Sequence, residues 1–142
     1  MWLRRLHPAA GGTALAVIAC FWLATVGSEI FGDRTLIATV KTSIPWGFLL
    51  LLPCLAAAGL SGRRLAGRRR HTLIEAKRRR TLVAAGNGLL VLMPCAFALA
   101  FLAASGDFGT PFYGIQAVEL VAGALNIALL GLNIRDGHRL HP

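Results

Sequence analysis

Apolar residues occur in four long runs along the chain, separated by short charged segments. Three runs without any charged residue cover 6–28, 42–62 and 81–106, and a fourth, 108–134, contains only Glu119. A helix that crosses a bilayer needs about 20 apolar residues. Backbone groups in lipid must be hydrogen-bonded within the protein, which favours helices. The pattern therefore predicts an all-α fold, an integral membrane four-helix bundle.

Little chain remains outside these runs, so residues 1–142 are predicted to form one four-span transmembrane domain. The predicted spans cover about 10–31, 36–60, 81–104 and 112–134. The first run follows two arginines, as a signal peptide would, but no convincing small-x-small cleavage site follows it. We therefore interpret it as an uncleaved first span.

The positive charge is concentrated at one end of the predicted bundle. The net charge is +9, and nine of the fifteen basic residues lie between Arg63 and Arg80. Further arginines precede the first span and follow the fourth. Basic residues are enriched in cytoplasmic loops, which predicts that both termini and a basic loop at 61–80 are cytoplasmic (N-in/C-in). We expect a multi-pass protein of a bacterial-type plasma (inner) membrane.

The basic segment also indicates which partners to expect. A nucleic-acid-binding domain presents its basic patch on a folded hydrophilic surface, and the sequence offers none, so we expect no nucleic-acid partner. Nine charges exceed what orientation requires, which favours contact with anionic lipid headgroups. The residues predicted to make this contact are Arg63, Arg64, Arg68, Arg69, Arg70, Lys77, Arg78, Arg79 and Arg80.

The fourth span carries one polar face. At about 100° per residue, its polar and small residues all fall within a sector of about 100°; they are Gln116, Glu119, Gly123, Asn126 and Asn133. A carboxylate in hydrocarbon costs several kcal/mol unless it is paired, protonated or hydrated. This face is therefore predicted to point into the bundle.

Depth along the helices suggests partners for Glu119. Lys41 in the second span lies at a similar predicted depth, so we predict an ion pair between Lys41 and Glu119, with Glu29 of the first span as a competing partner. Together with Gln116, these residues would form a polar cluster in the outer half of the bundle. Thr25 lies on the same face of the first span as Glu29. The cluster is either a proton, ion or small-ligand site or a structural contact that fixes helix register.

Asparagines supply further candidate contacts. Asn87 and Asn126 come to a similar depth in the inner half, which predicts an interhelical hydrogen bond of about 0.6–2 kcal/mol. Asn133 is assigned to the same class of interhelical polar contact.

Two similar stretches raise the question of an internal repeat. WGFLLLLPC spans 46–54 and NGLLVLMPC spans 87–95. A proline in each would bend both arms of the hairpin formed by the second and third spans. The two stretches either frame a cavity, as inverted repeats do in some transporters, or resemble each other by coincidence because both are rich in leucine. We favour coincidence.

No motif typical of an enzyme is present. The chain lacks a phosphate-binding loop, a nucleophile with a base beside it, and a metal-protease helix, so we expect no enzymatic activity. We also expect no cofactor and no metal, although the thiols of Cys20, Cys54 and Cys95 leave copper handling open as a weaker hypothesis.

These observations favour a non-enzymatic accessory or structural subunit of a larger membrane complex, with a membrane-protein partner or self-association. The alternative function is a small proton- or ion-coupled transporter that uses the site around Glu119 and Lys41.

Overall fold

Long helices account for nearly all of the chain in the computed structural model, which describes residues 2–66 and 72–140. The helical elements are α1 (Trp2–Phe31), α2 (Arg34–Ala66), α3 (Thr72–Asn87), a π turn (Gly88–Leu92), α4 (Met93–Ala104) and α5 (Thr110–Leu140). The segments α3, π turn and α4 follow one another without a break and form the third of four helical rods. The described residues contain no strand, so the fold is all-α.

Each of the four rods is long and apolar enough to cross a membrane. The helices extend past the predicted spans at both ends of α2 and α5 and at the start of the other two rods, most strongly at α3, which begins at Thr72 rather than at residue 81. Arginine and lysine are good helix formers, and helix continues where the apolar pattern ends. The predicted loop at 61–80 is therefore helical at 61–66 and 72–80; residues 67–71 lie outside the description.

The rods pack so that α5 contacts α1, α3 and α4, while α2 contacts α1 and α4. We call the end of the bundle that carries segment 61–80 the basic end, and the end with the turns at 32–33 and 105–109 the short-loop end. One apolar cluster lies at the short-loop end around Leu99 and Phe112. A second lies nearer the basic end around Ala14, Ile18 and Leu51.

The two similar stretches adopt different local structures. Pro53 lies inside the uninterrupted α-helix of α2. Pro94 instead follows the π turn, in which the backbone N–H of Met93 donates to the carbonyl of Gly88. Proline lacks an N–H and crowds the carbonyl four residues earlier, and a π turn absorbs such a disruption within a continuous helix. The similarity of the two stretches therefore does not extend to their backbones.

Candidate functional site

The predicted ion pair between Lys41 and Glu119 is present in the structure. Lys41 Nζ donates to Glu119 Oε2 and joins α2 to α5. The Lys41 side chain is 1% exposed and that of Glu119 is 12% exposed, so this is a buried pair rather than a surface contact. A buried ammonium needs both a counter-charge and further hydrogen bonds to offset its lost hydration.

α1 supplies the remaining contacts of this pair. Lys41 Nζ also donates to Thr25 Oγ1 at 3.3 Å, and the hydroxyl of Ser28 donates to the Thr25 carbonyl. One turn away, the indole N–H of Trp22 donates to the carbonyl of Leu120 on α5 at 2.9 Å. Three helices therefore meet at the lysine.

Glu29 and Gln116 lie near this region but do not bond the lysine. Gln116 is buried, and its Oε1 atom, like Glu29 Oε1, is buried with no hydrogen-bond partner among the described residues. Lys41 bonds to Glu119 and not to Glu29, so Glu29, the predicted competing partner, takes no part in the ion pair. The predicted four-residue cluster is thus a two-residue ion pair supported by Thr25.

The predicted hydrogen bond between Asn87 and Asn126 is confirmed. Asn87 Nδ2 donates to Asn126 Oδ1 and to the carbonyl of Ala122, both at 2.8 Å. Asn126 Nδ2 donates in return to the carbonyl of Ala84 at 3.2 Å. The two asparagines are therefore bonded to each other and to both helix backbones, which fixes α3 against α5.

Two further contacts between α3 and α5 lie nearer the basic end. Asn133 Nδ2 donates to Thr81 Oγ1 at 3.0 Å, which gives Asn133 the predicted interhelical role. Arg80 donates to the buried carboxylate of Asp136 at 2.6 Å. Arg135 approaches the other oxygen of that carboxylate at 3.4 Å.

The basic residues assigned to lipid headgroups divide into three sets. Arg80 has an internal partner, Asp136, because α3 extends alongside α5 and carries its guanidinium there. The exposed set comprises Arg63, Arg64, Arg78 and Arg79, with Lys77 half-buried near Gly137. Arg68, Arg69 and Arg70 lie outside the described residues.

A groove runs between the second and third rods, which carry the two similar stretches and for which a cavity was the interpretation that we did not favour. α2 packs against α4 at the short-loop end but makes no comparable contact with α3 in the described residues. The resulting hollow has a volume of about 450 Å³. Its walls are mainly apolar residues of α2, α3, the π turn and α4, and the residues of α1 and α5 that line it include Trp22, Glu119 and Asn126. We call it the lateral groove.

The lateral groove meets the ion pair from one side. The carboxylate-bearing residue, Glu119, lines the groove, whereas Lys41 does not. Thr25, the other partner of the lysine, also lines the groove, so the groove borders both partners of Lys41 but not Lys41 itself.

Sequence reasoning missed two contributors to this region. Trp22 packs against Gly123, where a Cβ atom would lie 3.0 Å from the indole Cδ1. The glycine on the polar face thus makes room for an aromatic ring rather than for a ligand. Asp136 received no role from the sequence, whereas the structure buries its carboxylate and pairs it with Arg80.

The three cysteines are free thiols on α1, α2 and α4. Among the residues described, no group of three or more His, Cys, Asp or Glu side chains lies close enough to hold a metal ion. Comparisons of this chain with protein-family models, curated proteins and solved structures find no match.

Proposed function

We propose that this chain is a non-enzymatic accessory or structural subunit of a larger membrane complex. The observation that carries the proposal is how the polar face of α5 is used. Two of its residues and one neighbouring backbone carbonyl bond to all three other rods: Glu119 to Lys41 on α2, Asn126 to Asn87 on α3, and the carbonyl of Leu120 to Trp22 on α1. These contacts connect helices to one another.

Such a network suits a rigid module better than a moving carrier. Interhelical polar contacts within a bilayer hold helices in one register. A buried ion pair with a third hydrogen bond opposes separation of its partners, because separation leaves a bare charge in apolar surroundings. The rest of the lipid-exposed surface is apolar, with large exposed side chains such as Leu90, Phe97 and Phe101. That surface is compatible with lipid or with neighbouring membrane helices.

The topology that goes with this proposal is N-in/C-in, in a bacterial-type plasma membrane. Its support is the placement of basic residues at one end of the bundle. That placement includes Arg63 and Arg64 at the end of α2 and the cluster at the start of α3.

Native mass spectrometry of the tagged full chain, released from lipid nanodiscs, tests the proposal. We expect the 15.1 kDa chain in a heteromeric assembly of fixed stoichiometry. A Glu119→Met variant, which leaves Lys41 unpaired, should lose that assembly, and the double variant Lys41→Met/Glu119→Met should retain it. A chain found only alone or as a homo-oligomer would refute the accessory role.

The second candidate is a small proton- or ion-coupled transporter. The observation that favours it is the position of Glu119 on the wall of the lateral groove, where an intramembrane carboxylate can meet a ligand. The double variant separates the two functions. A transporter loses uptake or efflux in this variant while the protein still folds, whereas an accessory subunit keeps its partner.

A further inference from the structure

The lateral groove has the length and lining of a binding site for one lipid chain. Along the third rod it extends from Thr81 to Ala96, which is about 22 Å at 1.5 Å per residue. Half of the roughly 30 Å hydrocarbon thickness of a bilayer is about 15 Å. The groove is therefore long enough to hold an acyl chain from one leaflet along its length.

The groove is open toward the bilayer along one side. Leu52 and Ala56 of α2, and Ala85 and Leu89 of α3 and the π turn, line it and are exposed. These four residues form two facing stripes that leave a gap between the rods. A lipid can therefore enter sideways, without passing through the bundle.

Arginines continue both stripes beyond the basic end of the groove. Residues seven apart lie two turns apart on nearly the same helix face. Arg63 is seven residues after Ala56, and Arg78 is seven residues before Ala85. Both arginines are exposed. Each wall of the apolar groove is thus continued toward the basic end by an exposed arginine.

We propose that the lateral groove binds one anionic phospholipid, with an acyl chain between α2 and α3 and its phosphate between Arg63 and Arg78. Guanidinium groups bond phosphate oxygens in pairs and keep their charge. The apolar walls of the groove bind an acyl chain little better than the surrounding bulk lipid does. The two arginines therefore supply the selectivity for an anionic headgroup. This site requires that the helices span a bilayer and is independent of the proposed accessory role.

The volume of the groove suits a small molecule. At about 450 Å³ it lies within the range of about 300–1,000 Å³ typical of small-molecule sites.

Lipid titration followed by native mass spectrometry tests the site. The purified, delipidated full chain in neutral detergent is titrated with phosphatidylglycerol or with phosphatidylcholine of the same acyl composition. We expect one tightly held phosphatidylglycerol per chain and weaker, unsaturated binding of phosphatidylcholine. The variant Arg63→Gln/Arg78→Gln should weaken phosphatidylglycerol binding about 30-fold, from about 1 kcal/mol for each charge near the membrane surface.

Two control variants make the result specific. Arg64→Gln/Arg79→Gln removes the same charge from faces turned away from the groove and should change the affinity much less. Ala85→Phe fills the groove and should abolish the tightly held lipid, whereas Ala124→Phe, at an exposed position on α5, should not.

Four results would overturn the proposal. They are equal binding of the two lipids, equal effects of the two arginine pairs, full lipid binding by the groove-filled variant, and a protein chain, in place of a lipid, that is bound by the native chain and released by Ala85→Phe. Circular dichroism of each variant establishes that a loss of lipid is not a loss of fold.

Discussion

Replacing both members of the buried pair should cost far less stability than replacing either one. Lys41→Met keeps the length of the side chain and removes its charge, and Glu119→Met does the same on the opposite helix. Each single variant leaves a lone charge in the bundle, and the double variant leaves none. These three variants form a thermodynamic cycle around the contact between α2 and α5.

The burial of the two side chains sets the expected magnitudes. Breaking a buried ion pair by removing one partner costs about 3–5 kcal/mol, whereas exchange of both partners for apolar residues of similar volume is often neutral or stabilising. Lys41 is 1% exposed, and without Glu119 it retains only the hydroxyl of Thr25. Glu119 is 12% exposed and borders the groove. We therefore expect Glu119→Met near the upper end of that range, Lys41→Met near the lower end, and the double variant within about 1 kcal/mol of the native chain.

The free energy of unfolding is measured by titrating the purified chain in mixed micelles with sodium dodecyl sulfate, with helix content as the signal. A double variant that is as unstable as the sum of the two single variants would refute the reasoning, since it would show that the charges do not stabilise each other. A Lys41→Met loss that exceeds the Glu119→Met loss would contradict the assignment of the lysine as the more enclosed charge.

Three further substitutions have definite expected outcomes in the same unfolding assay. Gly47→Ala should destabilise the chain, because the new Cβ would lie 2.0 Å from Cζ of the Phe21 ring; Phe21→Leu should restore much of the loss, and an unchanged stability of Gly47→Ala would contradict this contact. Asn126→Leu should cost about 1–3 kcal/mol by leaving the amide of Asn87 with only its backbone acceptor, and it should cost less once Asn87→Leu is also present, because only the bond from Asn126 to the Ala84 carbonyl is then lost. Trp22→Phe should cost about 1 kcal/mol through loss of one hydrogen bond to the α5 backbone, and a neutral result would show that this bond is not required.

The apolar pattern predicted the helices and their number because hydrocarbon thickness fixes the length of a spanning segment. It marked only the part of each helix that matches hydrocarbon. The helical ends at 61–66 and 72–80 are rich in basic residues, which form helix readily and remain hydrated, so hydropathy could not separate them from a loop.

Depth along the helices was enough to pair Lys41 with Glu119 and Asn87 with Asn126, because a buried polar group must find a partner at its own level. It was not enough to place Glu29, since depth does not specify the direction in which a side chain points. The sequence left a cavity between the second and third spans as the less favoured interpretation for a related reason. Whether two helices stay in contact along their whole length depends on the packing of all four rods, which no local pattern encodes.

The π turn at Gly88–Leu92 sets how the third rod tolerates insertions and deletions. A π turn holds one residue more than an α turn, so it delays the following helix by about 100°. That delay brings the buried residues Leu99 and Ala103 of α4 onto the same side of the rod as Ala84 of α3, which is also buried. Removal of one residue between 88 and 92 would therefore convert the π turn to an ordinary α turn and keep Leu99 in phase, whereas removal of a residue elsewhere in the third rod would rotate Leu99 out of the core. A residue inserted elsewhere in the rod would likewise create a second offset of about 100°, with no second π turn to absorb it.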